Sequence, residues 1–274
     1  ACGTGKTLVS LLIKEKLNAK TTLALSPSLS LLSQTLLEWT KNCSEQFNVL
    51  CVCSDTSVGL KERQEDTKTT DAPFPVTSDT QEIRRFLNRN GPKVIFSTYQ
   101  SSELIGQAQG NSIFDLMIAD EAHRCTGLAN TMFTHILEDN NIQAHKRLFM
   151  TATPRVFSQK VSKTAVDRGE IMHGMDDPEI FGPEIYRYTF GMAIEEGWLS
   201  DYQVMVVLVD EPMVKQLIDD HQFVSLEGDE ATNAKSLASK IGLIKAIKEY
   251  ELKRIISFHN KVRNAKNFST EFTE

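Results

Sequence analysis

The sequence predicts an α/β fold, a central parallel sheet wound with helices on both faces. Three observations predict it. Short continuous apolar runs recur at Thr22–Leu25, Val94–Ser97, Leu116–Ala119 and Leu148–Met150, and runs without alternation fit strands buried on both faces. Helical patterns separate these runs, which is the alternation that builds a parallel sheet. Each run also ends in small or polar residues, and in wound sheets ligands gather at the carboxyl ends of the strands.

In chain order, the first feature is Ala1-Cys2-Gly3-Thr4-Gly5-Lys6-Thr7. It matches the end of a phosphate-binding loop, G-x-x-x-x-G-K-[ST], whose first glycine falls one position before residue 1. Glycines let backbone N–H groups converge on phosphate oxygens. On this reading Lys6 reaches the β and γ phosphates, and the Thr7 hydroxyl holds Mg2+. The helix expected over Leu8–Leu17 turns its positive dipole end to the same anion. A glycine turn before a helix is the alternative, but a lysine at a helix N-terminus opposes the dipole unless an anion is bound.

The next two strand ends are Ser26-Pro27-Ser28, followed by Gln34, and Ser97-Thr98-Tyr99-Gln100-Ser101. Their hydroxyls, amides and backbone N–H groups suit sequence-independent phosphate contacts. Helix capping accounts for each equally well when taken alone. Residues 54–79, with Pro73 and Pro75, read as a polar loop or insertion. Asp79 caps the helix that follows, with Ile83, Phe86 and Leu87 on its buried face.

The run Leu116-Met117-Ile118-Ala119 delivers two carboxylates, Asp120 and Glu121, to a strand end. Asp120 would bind Mg2+ through its water shell, because that ion is hard and keeps its waters. Glu121 would orient or deprotonate an attacking water. The alternative is an acidic pair that caps the next helix. After Arg147–Met150 comes Thr151-Ala152-Thr153-Pro154-Arg155, where two hydroxyls can link the carboxylate pair to a neighbouring domain. An ordinary polar turn before Pro154 is the competing account.

Residues 156–180 read as a second polar, glycine-bearing stretch. A helix over Met192–Glu196 ends at Gly197. Tyr202–Val209 is expected as a strand that marks passage into a second domain, and Ser236–Tyr250 as helical. Arg254–Phe258 reads as another buried strand, followed by a helix that runs to Glu274.

Composition sets the outer bounds. The 274 residues suit one large or two modest domains, and no run of 18 apolar residues suggests a membrane span. A net charge of −6 excludes a generally basic nucleic-acid binder, although not a local basic groove. Cys2, Cys43, Cys51, Cys53 and Cys125 include no CxxC pair, which argues against a zinc site. Cys51 and Cys53 share a face if their segment is a strand. Reduced thiols in a cytoplasmic protein are the reading preferred.

Together these stretches resemble superfamily-2 helicases and translocases of the DEAH type. GTGKT is similar to motif I, SPSLSLLSQ to motif Ia, STYQS to the following strand-end motif, DEAH to motif II and TAT to motif III. IISFHNKVRNAKNF, at Ile255–Phe268, resembles motif IV. ADEAHRCTG and FGPEIYRYTFGMAIEEGWLSDYQV resemble the motor segment of type ISP restriction-modification enzymes, with type I and type III restriction motors as close relatives.

The resemblance covers nearly the whole chain. It implies a RecA-like ATP-binding domain over residues 1–200 and the start of a second RecA-like domain over 201–274. It implies ATP and Mg2+ as cofactors and nucleic acid, double-stranded DNA, as the partner. Nuclease and methyltransferase domains would belong to the parent chain, and the location would be cytoplasmic. Gly3, Thr4, Gly5, Lys6 and Thr7 would bind nucleotide, with Thr7 and Asp120 serving the metal. Lys6, Asp120 and Glu121 would be catalytic. His123, Thr151 and Thr153 would couple hydrolysis to domain movement. Pro27, Ser28, Thr98 and Gln100 would sit near the nucleic-acid backbone, although Leu29 stands where the family often has arginine, which weakens that contact.

The family's adenine-recognising segment and motifs V and VI are not in the sequence, so the chain reads as a piece of a longer protein. Alone it is expected to bind nucleotide weakly and to hydrolyse ATP negligibly. Two other readings compete. In an AAA-type protein remodeller a helical lid would replace the second α/β domain, and the strand expected at Ile255–Phe258 argues against that. In a non-catalytic adaptor the ATP site would have decayed, and intact Lys6, Asp120 and Glu121 argue against that.

Overall fold

The computed structural model describes residues 3–53, 76–129, 131, 133–158, 167–168, 171–204, 206, 240 and 242–273. It divides into two compact units, Ala1–Asp201 and Tyr202–Glu274.

The first unit opens with α1 (Lys6–Lys16), β1 (Thr21–Ser26), α2 (Leu29–Asn42) and β2 (Asn48–Val52). Then come β3 (Val76–Thr77), α3 (Thr80–Leu87), β4 (Lys93–Thr98), α4 (Ser102–Gln109) and β5 (Leu116–Asp120). β6 (Gly127–Leu128), β7 (Arg147–Met150), β8 (Met172–His173), α5 (Pro178–Phe181) and α6 (Phe190–Glu195) complete it. Six strands form one sheet in the order β3-β2-β4-β1-β5-β7, and every pairing in it is parallel. β6 and β8 form a separate antiparallel pair.

Side chains alternate across a strand, so the two sheet faces collect different sets. Leu23, Leu25, Ile95, Met117 and Ala119 pack with Ile83, Phe86, Ile105 and Ala108, which come from α3 and α4. Ala24, Phe96 and Ile118 pack with Leu11, Leu32, Leu36 and Trp39, which come from α1 and α2. This two-sided burial explains why the strands read as unbroken apolar runs. Asp79 caps α3 as expected, its carboxylate accepting from the Gln81 N–H at 2.8 Å.

Several expectations need correction. Residues 54–75 lie outside the described residues, and Val76–Thr77, expected as the end of a loop, forms β3 beside β2. The stretch 156–180 contributes β8 and α5. β2, which carries Cys51, is a strand that was not among the apolar runs read as strands. In the second unit, residues 202–204 and 206 form no strand, and 207–209 lie outside the described residues. Arg254–Phe258 forms no strand either, and Ile256 and Phe258 are 83% and 92% exposed. A strand needs a neighbour to satisfy its backbone groups, and no strand is present among the described residues of that unit. Its described regular structure is helical, over 242–250 and in α7 (Val262–Thr273).

Gly106 sits inside α4, where alanine would ordinarily stabilise a helix. A Cβ there would lie 2.4 Å from the Asn141 carbonyl oxygen, a backbone atom that cannot swing away. Gly106→Ala is therefore expected to lower the unfolding free energy by about 1–3 kcal/mol, the usual effect of overpacking. Chemical denaturation checks this, and an unchanged or raised midpoint would contradict the close approach of α4 to the Asn141 turn.

Candidate functional site

The site is assembled at the carboxyl edge of the sheet. Gly5 caps α1 in the left-handed conformation, with φ 78°, and Gly3 has φ 72°. Such angles favour glycine and turn successive backbone groups outward. α1 begins at Lys6, with no acidic residue in its first turn. The Lys6 ammonium reaches Glu121 Oε1 at 3.9 Å. Thr7 is held from behind. Its carbonyl accepts from the buried Trp39 indole N–H at 3.0 Å and from the Ser10 hydroxyl at 2.6 Å.

Asp120 ends β5, and Glu121 follows with φ 52°. This non-glycine residue in left-handed backbone turns the chain into a 3-10 helix at Ala122–Cys125. Asp120 Oδ1 accepts from the Glu121 N–H at 3.0 Å. Burial raises the Asp120 pKa, and the neighbouring Glu121 charge adds to it, while the Glu121 N–H, Lys6 and His123 oppose the rise. Thr7 and Asp120 line one small cavity of about 10 Å³ together with Ser10, Ser26, Thr35 and Trp39. Ala24, Leu25, Ile118 and Met150 also line this space, which is on the scale of a single water.

His123 gathers the next elements. Its Nδ1 lies 2.9 Å from Thr151 Oγ1, 3.3 Å from Glu121 Oε2 and 3.4 Å from Thr153 Oγ1. The Thr153 N–H in turn donates to Thr151 Oγ1 at 3.1 Å. Carboxylate, imidazole and hydroxyl turn therefore form one continuous polar chain from the end of β5 to the end of β7. The sequence-derived residues Lys6, Asp120, Glu121, His123, Thr151 and Thr153 are thus neighbours in space.

The strand ends expected near nucleic acid are arranged differently. The Ser28 hydroxyl accepts from the Leu31 N–H and caps α2. Pro27 is buried, and Leu29 belongs to the core. Thr98 is 4% exposed, and its hydroxyl pairs with Ser101 Oγ at 3.2 Å. Of these four positions, Gln100 presents an exposed side chain, Ser28 a half-buried one, and Pro27 and Thr98 are covered. Two contributors escaped sequence reasoning. Trp39 carries an amphipathic signal only as a core residue of α2. Tyr99, between Thr98 and Gln100, sends its hydroxyl to the Asp120 carbonyl at 2.6 Å.

Among the described residues no group of three or more His, Cys, Asp or Glu could hold a metal ion, and Cys43, Cys51, Cys53 and Cys125 are free thiols. Among the described residues no helix is long and apolar enough to cross a membrane.

Residues 1–156 match the family described as "Type III restriction enzyme, res subunit". A probable helicase of African swine fever virus is 33% identical over 221 residues, covering 79% of this chain and 22% of the viral protein. The structure of the ATP-dependent type ISP restriction-modification enzyme LlaBIII bound to DNA is similar with a TM-score of 0.64 and 35% identity. That match covers 80% of this chain and 15% of the enzyme. A nuclease-deletion mutant of the type ISP enzyme LlaGI, in complex with a DNA substrate mimic, gives a TM-score of 0.54 and 32% identity over 72% of this chain and 18% of that one. The chain thus spans about a fifth of the length of the curated relatives it matches.

Trp39→Phe tests the support behind Thr7. Phenylalanine keeps a ring against Phe96 and Phe47 and removes the donor to the Thr7 carbonyl. The lost bond, worth about 1 kcal/mol, is expected to weaken nucleotide binding roughly fivefold in titration calorimetry. Unchanged affinity in a folded variant would show that the indole does not support the loop.

Proposed function

The chain belongs to the type III restriction enzyme res-subunit family, and from that membership we propose that it is the ATP-hydrolysing part of a DNA helicase or translocase motor. The observation that carries the reading is the convergence of Lys6, Glu121, His123 and Thr151 at one sheet edge. Supporting it, the type ISP enzymes LlaBIII and LlaGI have their similar segments in structures with DNA. The track proposed here is double-stranded DNA, in a restriction-modification or phage-defence enzyme whose parent chain also carries nuclease and methyltransferase domains. The proposed location is the cytoplasm. Residues 201–274 are proposed as the start of a second RecA-like domain.

The loop fits a nucleotide triphosphate and Mg2+. Gly3 and Gly5 adopt the angles that expose backbone donors. The Lys6 cation stands at a helix N-terminus, where an anion would relieve its conflict with the helix dipole. Thr7 and Asp120 face one small cavity and would hold Mg2+, which when bound neutralises charge on the β and γ phosphate oxygens. Lys6 binds the same phosphates. Glu121 takes a proton from the attacking water at its carboxylate, which lies within reach of His123 Nδ1. Thr151 and Thr153, joined to His123, pass the state of that carboxylate to the strand end of β7. Of the strand-end positions, Gln100, with its exposed side chain, is proposed to contact the DNA backbone.

The protein-remodelling alternative turned on the strand expected at 254–258. That strand is not formed, so family membership, and not that element, separates the two readings.

The experiment is ATP hydrolysis by the complete polypeptide that carries these residues, with and without double-stranded DNA. DNA is expected to stimulate turnover, and Lys6→Ala to lower it by about 100-fold or more. Glu121→Gln should lower kcat by about 10²–10⁴ while nucleotide still binds. DNA-independent hydrolysis, or hydrolysis unchanged in the Lys6 variant, would refute the reading. Thr151→Ala combined with Thr153→Ala is expected to leave more ATP hydrolysis than DNA movement, measured by triplex displacement. Equal loss of both would remove the coupling role.

A further inference from the structure

Tyr99 belongs to a strand-end motif, yet it is fully buried and touches no surface. Its phenol donates to the Asp120 carbonyl oxygen at 2.6 Å. The peptide unit that begins with that carbonyl ends with the Glu121 N–H, which donates to Asp120 Oδ1 at 3.0 Å. Both polar groups of one peptide plane are therefore pinned, one by Tyr99 and the other by the Asp120 carboxylate. Glu121, which follows that plane, has φ 52°, a left-handed angle that glutamate rarely adopts and that persists only when its surroundings over-determine it. The angle sets the direction in which the Glu121 carboxylate leaves the backbone.

The support behind the phenol is equally buried. Cys125, at the end of the 3-10 turn that follows Glu121, is fully buried beside the phenol. The phenol has a single hydrogen, and the Asp120 carbonyl receives it. The Tyr99 ring is wedged 5.7 Å from Phe133, centroid to centroid, which prevents the hydroxyl from swinging away.

We propose that Tyr99 is a positioning residue for Glu121. It holds the Asp120–Glu121 peptide in the orientation that aims the carboxylate into the site. The proposal rests on the reading of Glu121 as the base in ATP hydrolysis. Tyr99 is fully buried and acts through the backbone carbonyl of Asp120.

The test is Tyr99→Phe in the complete polypeptide, which keeps the ring and removes the hydroxyl. The expected result is a kcat for DNA-stimulated ATP hydrolysis lowered about tenfold, with KM for ATP changed by less than about twofold, because positioning acts on the transition state. In the Glu121→Gln background the same change is expected to have no further effect, since two residues that act as one unit are not additive. Unaltered kcat in Tyr99→Phe, equal shifts in kcat and KM, or a full additional loss in the double variant would each overturn the proposal. Should Tyr99→Phe fail to fold, Cys125→Ala replaces it, with kcat expected to fall about threefold at unchanged KM, and a wild-type kcat overturning the proposal. Absence of ATP hydrolysis in the wild type would overturn the ATPase reading and this proposal with it. Hydrolysis in the wild type that is indifferent to Tyr99 overturns this proposal alone.

Discussion

The parallel register of β5 between β1 and β7 is the constraint on which the site depends. Leu25 of β1 stands beside Ala119, and Asp120 stands beside Met150 of β7. Both strands therefore leave the sheet at the same level, and Glu121 and Thr151 step out side by side. That is why His123, three residues past the end of the acidic strand, can touch both. A slip of one residue would send Asp120 to the other face of the sheet. The apolar residues that prevent the slip are Met117 and Ala119 on one face and Leu116 and Ile118 on the other. The packing that makes the strands unbroken apolar runs thus also sets the spacing of the chemistry.

Electrostatics then assigns the parts. Asp120 loses hydration at the end of a buried strand and sits next to a second carboxylate, so its charged form is disfavoured. Lys6 supplies part of that positive charge from the start of α1, close to Glu121. Two carboxylates and one ammonium at a helix N-terminus satisfy one another incompletely. A triphosphate with a divalent cation adds negative charge where the dipole and Lys6 want it, and positive charge where Asp120 wants it. The fully buried Trp39 and Tyr99 hold the two backbone segments, Thr7 and Asp120–Glu121, that must face each other for this to work.

How much of this was legible in the sequence follows from how local each signal is. The glycines, Lys6 and Thr7 announce themselves because the loop geometry is carried by adjacent residues. Asp120 and Glu121 do so because four apolar residues deliver them. The strands β1, β4, β5 and β7 were visible to within one residue at either end. Trp39 and Tyr99 were not, because a buried aromatic looks the same in sequence whether or not its N–H or O–H reaches a backbone carbonyl on another element. Thr98 and Ser28 read equally as phosphate contacts or as helix caps; the Ser28 hydroxyl caps α2, whereas the Thr98 hydroxyl makes no cap bond and pairs with Ser101. Arg254–Phe258 misled for the opposite reason. Its apolar pattern is that of a buried strand, but strand formation is a property of pairing, which lies outside the segment itself.

The central claim is that the glycine loop, the acidic strand end and the hydroxyl turn form one nucleotide site. A crystal structure with Mg2+ and a non-hydrolysable ATP analogue tests it most directly. The account predicts the Lys6 ammonium within about 3 Å of phosphate oxygens and no longer turned to Glu121, with Mg2+ between Thr7 and Asp120. An analogue bound away from the loop, with Lys6 still paired to Glu121, would contradict it.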